Sequence, residues 1–173
     1  MKDKLLSKQG WVILLICIIS FFINNRVVVP DIMEARNMVT AREMVHDGNW
    51  LVPTMNGDLR LEKPPLPTWL TAVAEMISPD NLALQRAMAG FAAILLVAFF
   101  YLTAVQVMRN KRYAFISTIL LCTCYNIILM GRTASWDIYC HAFMMGAIYF
   151  LIKAFVTKAC SWKDFTWAGV FMG

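Results

Sequence analysis

The sequence predicts an all-α, polytopic transmembrane helical bundle with short interfacial helices in its first external loop. Of its 173 residues, 60% are hydrophobic and only 16% are charged, whereas soluble domains carry about 25% charged residues. The apolar residues fall in blocks of about 20, the length that crosses a bilayer core. One long polar segment, residues 30–85, follows the first block. We therefore expect a membrane protein with one large loop.

The first predicted span covers residues 10–29. Lys2, Lys4 and Lys8 precede it, and no small-residue cleavage site follows it, so the segment differs from a cleaved signal peptide. Arg26 lies near its far end, where a long basic side chain can extend to the membrane surface. We predict an uncleaved helix with its N-terminus in the cytoplasm.

The external loop is predicted to begin with an amphipathic helix on the membrane surface. Asp31 stands in N-cap position, Glu34 follows three residues later as in a capping box, and Gly48 supplies the stop. Apolar and polar residues recur between them at helical spacing. The rest of the loop is predicted to contain a turn at Asn56-Gly57, an extended segment over residues 59–67 and a short helix over residues 68–77.

The chain then returns to the bilayer. Basic clusters at residues 109–112 and 153–163 fall on one side of the predicted bundle, whereas residues 24–85 carry five basic and eight acidic residues. The positive-inside rule places that acidic loop, and with it the short loop 131–137, outside the cytoplasm. The remaining spans are predicted over residues 87–107, 113–130 and 138–155, with a fifth that begins at residue 165.

Charge and cysteine patterns exclude two other classes. The net charge is +5, but the basic residues form no stripe interleaved with aromatics, so we expect no nucleic-acid partner. The five cysteines include no C-x-x-C pair, which makes a zinc site or a disulfide framework improbable and favours buried free thiols. Trp136 and other tryptophans fit the aromatic belt of a membrane interface.

Several short blocks in the loop occur in a recognisable order. Glu34-x-Arg36 is followed by Ala-Arg-Glu-Met, then Gly-Asn-Trp-Leu-Val-Pro, Asn-Gly and Leu-Glu-Lys-Pro-Pro-Leu. This order resembles that of polyprenyl-phosphate-sugar glycosyltransferases with the GT-C fold, the relatives of protein O-mannosyltransferases and of the lipid A aminoarabinose transferase. Members have many more spans, so the resemblance implies that residues 1–173 are the N-terminal part of one transmembrane GT-C domain that is truncated here.

The resemblance implies a glycosyltransferase of the inner (plasma) membrane. It would move a sugar from undecaprenyl phosphate to a lipid, protein or glycan acceptor at the outer face, with the bilayer as a further partner. The resemblance implies no cofactor, and it leaves open whether a divalent cation takes part. The alternative is a non-catalytic membrane protein, either a truncated relative or a transporter or scaffold subunit that reuses the fold.

The resemblance also implies site residues. The catalytic base would be an acid of the first loop, Glu34 or Asp31; relatives commonly open this loop with Asp-Glu, and here Met33 stands at the aspartate position. Asp137 would orient the acceptor or position a cation. Arginine and lysine suit the leaving phosphate, and the candidates are Arg36, Arg60, Lys63 and Arg132. The structural alternatives are that Asp31 and Glu34 only cap the helix and that Lys63 is only solvated.

Overall fold

The structure is a computed structural model that describes residues 8–156 and 161–173. The predictions for Lys2 and Lys4, and for the part of the basic cluster within residues 157–160, lie outside the described residues. The described residues confirm an all-α architecture with one two-stranded hairpin. Its elements are α1 (Lys8–Phe22), α2 (Ile32–Asp47), β1 (Thr54–Met55), β2 (Asp58–Leu59), α3 (Pro65–Ile77), α4 (Leu82–Met108), α5 (Lys111–Cys122), α6 (Tyr125–Gly131), α7 (Asp137–Val156) and α8 (Trp162–Met172).

Two described helices are long and apolar enough to cross a bilayer, namely α4 with 27 residues and α7 with 20. At the usual rise per residue, α4 is about 40 Å long, which exceeds the hydrocarbon core of about 30 Å. α5 and α6 meet the same criterion as one span that is bent by 64°. The protein is therefore an integral membrane protein, as predicted.

The main core lies between α1, α4, α5 and α7, and one end of it adjoins the polar loop. Phe21 at the end of α1, Ala89 and Ala93 on α4, and Ile138 at the start of α7 are all inaccessible to solvent. A Cβ added to Gly131 would lie 2.7 Å from the Phe21 ring, so the glycine is needed for this close approach. Small residues let helix backbones pack tightly in a membrane, and the polar loop rests on this packed layer.

α1 is shorter than the predicted first span. It ends at Phe22 after 15 residues, and Asn24 then adopts a left-handed conformation with φ of 57°. The carbonyls of Asn25 and Val28 accept hydrogen bonds from Arg86 Nη1 at 2.5 and 2.8 Å. Because these carbonyls bond a side chain instead of a continuing helix, the chain leaves the helix early.

The third predicted span is broken. α5 ends at Cys122 and α6 begins at Tyr125, with Cys124 in an extended conformation between them. Thr123 Oγ1 donates to the carbonyl of Ile119 at 3.0 Å. Such a bond to a carbonyl four residues back competes with the backbone ladder and bends helices. α7 and α8 occupy the positions of the fourth and fifth predicted spans.

α2 has the predicted ends but an unexpected buried face. Asp31 Oδ1 accepts from the Glu34 N–H at 2.7 Å, and Gly48 closes the helix with φ of 75°. The apolar Ile32 is 74% exposed, which suits contact with a bilayer, whereas the polar Glu34 and Asn37 are fully buried. Part of the polar face is therefore enclosed by other parts of the chain, whereas Arg36 on the same helix stays exposed.

The hairpin forms at the predicted turn. Asn56 and Gly57 have φ of 56° and 82°, as a type I′ turn requires. Glu43 on α2 accepts from Thr54 Oγ1 at 2.7 Å and from the Asn56 N–H at 2.5 Å, so α2 holds β1 and the start of the turn. Residue 60 emerges from this anchored hairpin.

α3 begins earlier than predicted. Its first residue is Pro65 instead of Thr68, because proline is well suited to the first turn of a helix, where its missing N–H has no partner to lose. The short helix is thus joined directly to Lys63 and Pro64. This leaves little slack between the hairpin and α3.

The thiols follow the prediction only in part. Cys17 and Cys122 are buried free thiols with their sulfur atoms 3.8 Å apart. Cys124 and Cys140 are exposed, contrary to the expectation, because they lie at the break of the bent span and on the outer face of α7. Cys160 lies outside the described residues.

Candidate active site

Arg60 carries a buried guanidinium with an unused donor. The residue is 6% exposed, although the hairpin before it lies at the surface. Its Nη1 donates to the Arg36 carbonyl at 2.6 Å and to Thr40 Oγ1 at 2.7 Å, whereas Nη2 has no hydrogen-bond partner among the described residues. Burial lowers the pKa of Arg60, and Arg36 adds to this while Glu62 opposes it; arginine stays charged all the same. A buried, charged and unsatisfied donor favours an anion beside it.

Trp136 brings Arg60 and Lys63 together. The guanidinium carbon lies 5.1 Å from the ring centroid and Lys63 Nζ lies 5.6 Å from it, both within cation–π range. Trp136 is 5% exposed, and its Nε1 also lacks a partner in the described part of the chain. Two of the predicted phosphate ligands thus meet on one aromatic ring, which had been assigned to the interfacial belt.

A cavity of about 180 Å³ adjoins this group. Arg36 and Arg60 line it together with Asp58 and Glu62. The arginines can donate to an anion, and the carboxylates can accept hydrogen bonds from hydroxyl groups. This mixture suits a ligand that carries both a phosphate and hydroxyls better than it suits a bare phosphate.

Glu34 is an interior anchor. Its side chain and that of Arg86 are 0% and 1% exposed. Arg86 Nε and Nη2 each donate to a different oxygen of Glu34 at 2.7 Å, and the Ala134 N–H donates to one of the same oxygens at 2.9 Å. A general base must reach the proton that it removes. The carboxylate of Glu34 is instead occupied in joining α2 to α4 and to the loop 131–137.

Asn37, one helical turn after Glu34, holds the same peptide. Its Nδ2 donates to the carbonyl of Ala134 at 2.7 Å and to Thr71 Oγ1 at 3.0 Å, and its Oδ1 accepts from Thr68 Oγ1 at 2.8 Å. Glu34 therefore binds the N–H of Ala134 while Asn37 binds its carbonyl. This clamp fixes the loop that places Trp136 against Arg60 and Lys63.

The two remaining acids are accessible. Asp31 and Asp137 are exposed, Asp31 with one oxygen on the α2 N-terminus. Asp137 begins α7, and its backbone carbonyl, not its carboxylate, accepts from His141 Nδ1 at 2.6 Å. Within residues 8–156 and 161–173, no group of three or more His, Cys, Asp or Glu side chains is arranged to hold a metal ion.

Arg132 belongs to a different cavity. It lies near the end of α1, where its Nη2 donates to the carbonyl of Ile23. It lines a cavity of about 520 Å³ together with Asn25 and Arg86, whereas Arg36 and Arg60 line the smaller one. The structure therefore brings three of the four predicted phosphate ligands together and leaves Arg132 apart.

Three residues of this arrangement were not predicted to have such roles: Arg86, Asn37 and Trp136. Arg86 had a usable signal, since a lone arginine at the start of an apolar span needs a partner. Asn37 and Trp136 had no such signal, because their roles depend on contacts with distant segments. The partners of Asn37, for example, are 34 and 97 residues away in the sequence.

Comparison with known proteins shows the family to which the chain belongs. The sequence model of the dolichyl-phosphate-mannose-protein mannosyltransferase family matches residues 11–173, nearly the whole chain. The chain belongs to this family. As a member of the mannosyltransferase family, it is also similar to bacterial enzymes that are named for undecaprenyl phosphate.

Two such relatives are arabinosyl transferases. The undecaprenyl phosphate-alpha-4-amino-4-deoxy-L-arabinose arabinosyl transferase of Pseudomonas savastanoi pv. phaseolicola is 34% identical over 92 residues, which are 53% of this chain and 17% of that protein. The protein of the same name from Shewanella sediminis is 31% identical over 108 residues, 62% of this chain and 19% of that protein. The matched segments thus span about a fifth of the length of these relatives.

A solved structure confirms the GT-C fold. The crystal structure of ArnT from Cupriavidus metallidurans bound to undecaprenyl phosphate matches with a TM-score of 0.77 at 20% identity. The match covers 95% of this chain and 31% of that one. At this identity the likeness shows the fold, and the family member described here corresponds to one part of the larger transferase architecture.

Proposed function

We propose that this family member acts as a glycosyltransferase that takes a sugar from undecaprenyl phosphate and passes it to a lipid, protein or glycan acceptor. Its two polar loops would carry out the transfer at the outer face of the plasma membrane, with the N-terminus in the cytoplasm. The family match supports a lipid-phosphate sugar donor, and the charge asymmetry of the loops supports this topology.

The group of Arg60, Lys63 and Trp136 is the observation that best supports this function. Two cations converge on one buried ring, and two buried donors beside them, Arg60 Nη2 and Trp136 Nε1, lack partners among the described residues. A phosphate oxygen would satisfy such donors by charge-assisted hydrogen bonds. In the reaction, Arg60 and Lys63 would stabilise the polyprenyl phosphate as it leaves the sugar, and Arg36 would bind from the adjoining cavity.

The three predicted catalytic acids differ in whether their carboxylates are accessible. Asp31 and Asp137 are exposed and so are the candidates for the base that takes a proton from the acceptor hydroxyl. Glu34 we now propose as a positioning residue, because both of its oxygens are engaged by Arg86 and Ala134. Through its hold on Ala134 it would keep Trp136 beside the phosphate ligands.

The test is transfer of a radiolabelled sugar from undecaprenyl phosphate by the full-length protein in proteoliposomes. Lys63→Ala and Arg60→Gln should each lower turnover by about 100-fold, the usual cost of removing one stabilising donor. Lys111→Ala, which removes an exposed lysine at the start of α5, is the matched control. Unchanged turnover in Lys63→Ala and Arg60→Gln would show that the phosphate site lies elsewhere.

A second candidate function is non-catalytic binding of the same lipid phosphate. Met33, which is 39% exposed, occupies the position where relatives commonly carry the aspartate of Asp-Glu. Under this alternative, the protein binds undecaprenyl phosphate through Lys63 but shows no transfer. Met33→Asp separates the two functions. If the wild type shows no transfer and Met33→Asp gains it, the non-catalytic function is favoured. If the wild type transfers the sugar and needs Asp31 or Asp137 to do so, the enzyme is favoured.

A further inference from the structure

The cavity that Arg132 lines is at the end of α1, apart from the proposed donor site. It measures about 520 Å³. Its lining combines apolar residues, among them Val27, Val28 and Ile128, with polar ones that include Asn25 and Arg132. An amphiphile would fit such a lining better than would a soluble ion.

Among the residues that line the cavity, Arg132 carries a positive charge that no described carboxylate neutralises. Arg86 also faces the cavity, but Glu34 balances its charge. Arg132 forms no ion pair among residues 8–156 and 161–173, and the neutral carbonyl of Ile23 is its hydrogen-bond partner. A guanidinium donates five N–H groups, so Arg132 keeps donors for an anion.

A second, independent observation points to a ligand. Asn25 is 6% exposed and lines the cavity, yet its side-chain oxygen has no hydrogen-bond partner in the described part of the chain. The oxygen and nitrogen of an asparagine amide are assigned from their surroundings. With the amide turned over, the same buried position would offer an N–H donor to the cavity that Arg132 also lines.

The position of Arg132 at the end of a span suits a lipid headgroup. Arg132 directly follows α6, the second half of the bent span, and the end of a span lies near the membrane–water boundary. A cation there, in a cavity that also has apolar lining residues, matches the phosphate and the acyl chain of a glycerophospholipid.

We propose that this cavity binds a bilayer glycerophospholipid. Arg132 and Asn25 would bind its phosphate group, and Val27 and Ile128 would contact an acyl chain. This site is distinct from the group of Arg60, Lys63 and Trp136, and it does not depend on the protein being a transferase. It assigns Arg132 to a resident lipid instead of the sugar donor.

Native mass spectrometry of the full chain released from detergent micelles tests the proposal, with phosphatidylglycerol, the phosphate-free diacylglycerol and undecaprenyl phosphate as separate probes. Arg132→Gln should lower retention of phosphatidylglycerol by about tenfold, as loss of one charged hydrogen-bond partner predicts. Arg112→Gln, an exposed arginine at the opposite end of the bent span, should leave retention unchanged. Diacylglycerol should not be retained by any variant.

A cavity-filling change keeps the test independent of the stability of the Arg132 variant. Leu129 lines the cavity and is 43% exposed, so Leu129→Trp should expel the lipid while leaving Arg132 in place. Lys63→Ala should reduce retention of undecaprenyl phosphate and spare phosphatidylglycerol. Retention of phosphatidylglycerol by both Arg132→Gln and Leu129→Trp, or loss of undecaprenyl phosphate alone in those variants, would overturn the assignment.

Discussion

The buried pair of Glu34 and Arg86 offers the sharpest test of how the loop is attached to the bundle. Both side chains are inaccessible, and Arg86 makes two contacts of 2.7 Å to Glu34 in addition to two with the carbonyls of Asn25 and Val28. Arg86→Met removes all four contacts at nearly constant length. It leaves Glu34 with the Ala134 N–H as its remaining described donor.

The expected loss is about 3–5 kcal/mol of unfolding free energy, since removing one partner of a buried pair leaves an uncompensated charge in the interior. A double variant that also carries Glu34→Leu should recover much of that loss, because no charge then remains buried. Stability would be measured by chemical unfolding in mixed micelles, and the double-mutant cycle gives the coupling between the two residues.

The matched control is Arg42→Ala. Arg42 forms ion pairs with Glu75 and Asp80, but its side chain is 57% exposed, so its loss should cost about 0–1 kcal/mol. Two results would show that the pair does not hold the loop to α4. One is that Arg86→Met lowers the unfolding free energy no more than Arg42→Ala does. The other is that the losses caused by Arg86→Met and Glu34→Leu simply add in the double variant.

Three further outcomes follow from the same contacts. Asn37→Ala frees the carbonyl of Ala134 and should lower both stability, by about 1–3 kcal/mol, and transfer, whereas Asn126→Ala, at an exposed asparagine of α6, should change neither; thermal unfolding and the transfer assay check this. Gly131→Ala places a Cβ 2.7 Å from the Phe21 ring and should cost about 1–3 kcal/mol by overpacking, but Gly169→Ala, whose Cβ would meet nothing within 4 Å, should be neutral or mildly stabilising in the same unfolding measurement. Trp136→Leu removes two cation–π contacts and should weaken binding of undecaprenyl phosphate by about tenfold in a titration of the full-length protein; affinity equal to that of Trp69→Leu, a tryptophan on α3, would contradict this role.

Local sequence signals predicted the elements of the loop well. Asp31 and Gly48 cap α2 as their residue types require, and Asn56-Gly57 forms the turn that its dipeptide favours. These features depend on a few neighbouring residues and on backbone conformations that few side chains allow. The apolar blocks likewise located α4 and α7.

The break in the third span and the early end of α1 were beyond the sequence patterns. Thr123 and Asn24 are ordinary residues for an apolar run or its end, and hydropathy averages over such positions. In the structure, a side-chain bond from Thr123 to the Ile119 carbonyl lies at the break, and Arg86 takes the carbonyls of the α1 exit. Both depend on specific hydrogen bonds and not on composition.

Composition and capping signals are enough to identify a helical membrane protein with one long polar loop, and the order of the motifs indicates a sugar-transferring family. Those conclusions rest on composition, capping and short blocks, which are local properties. Whether a charged residue is exposed or engaged in holding the fold depends on contacts between distant segments. The tertiary structure encloses Glu34 with Arg86, gathers Arg60 and Lys63 on Trp136, and sets Arg132 in a separate cavity. The physical reason is that burial and pairing of charges depend on contacts across the chain, and no local pattern encodes them.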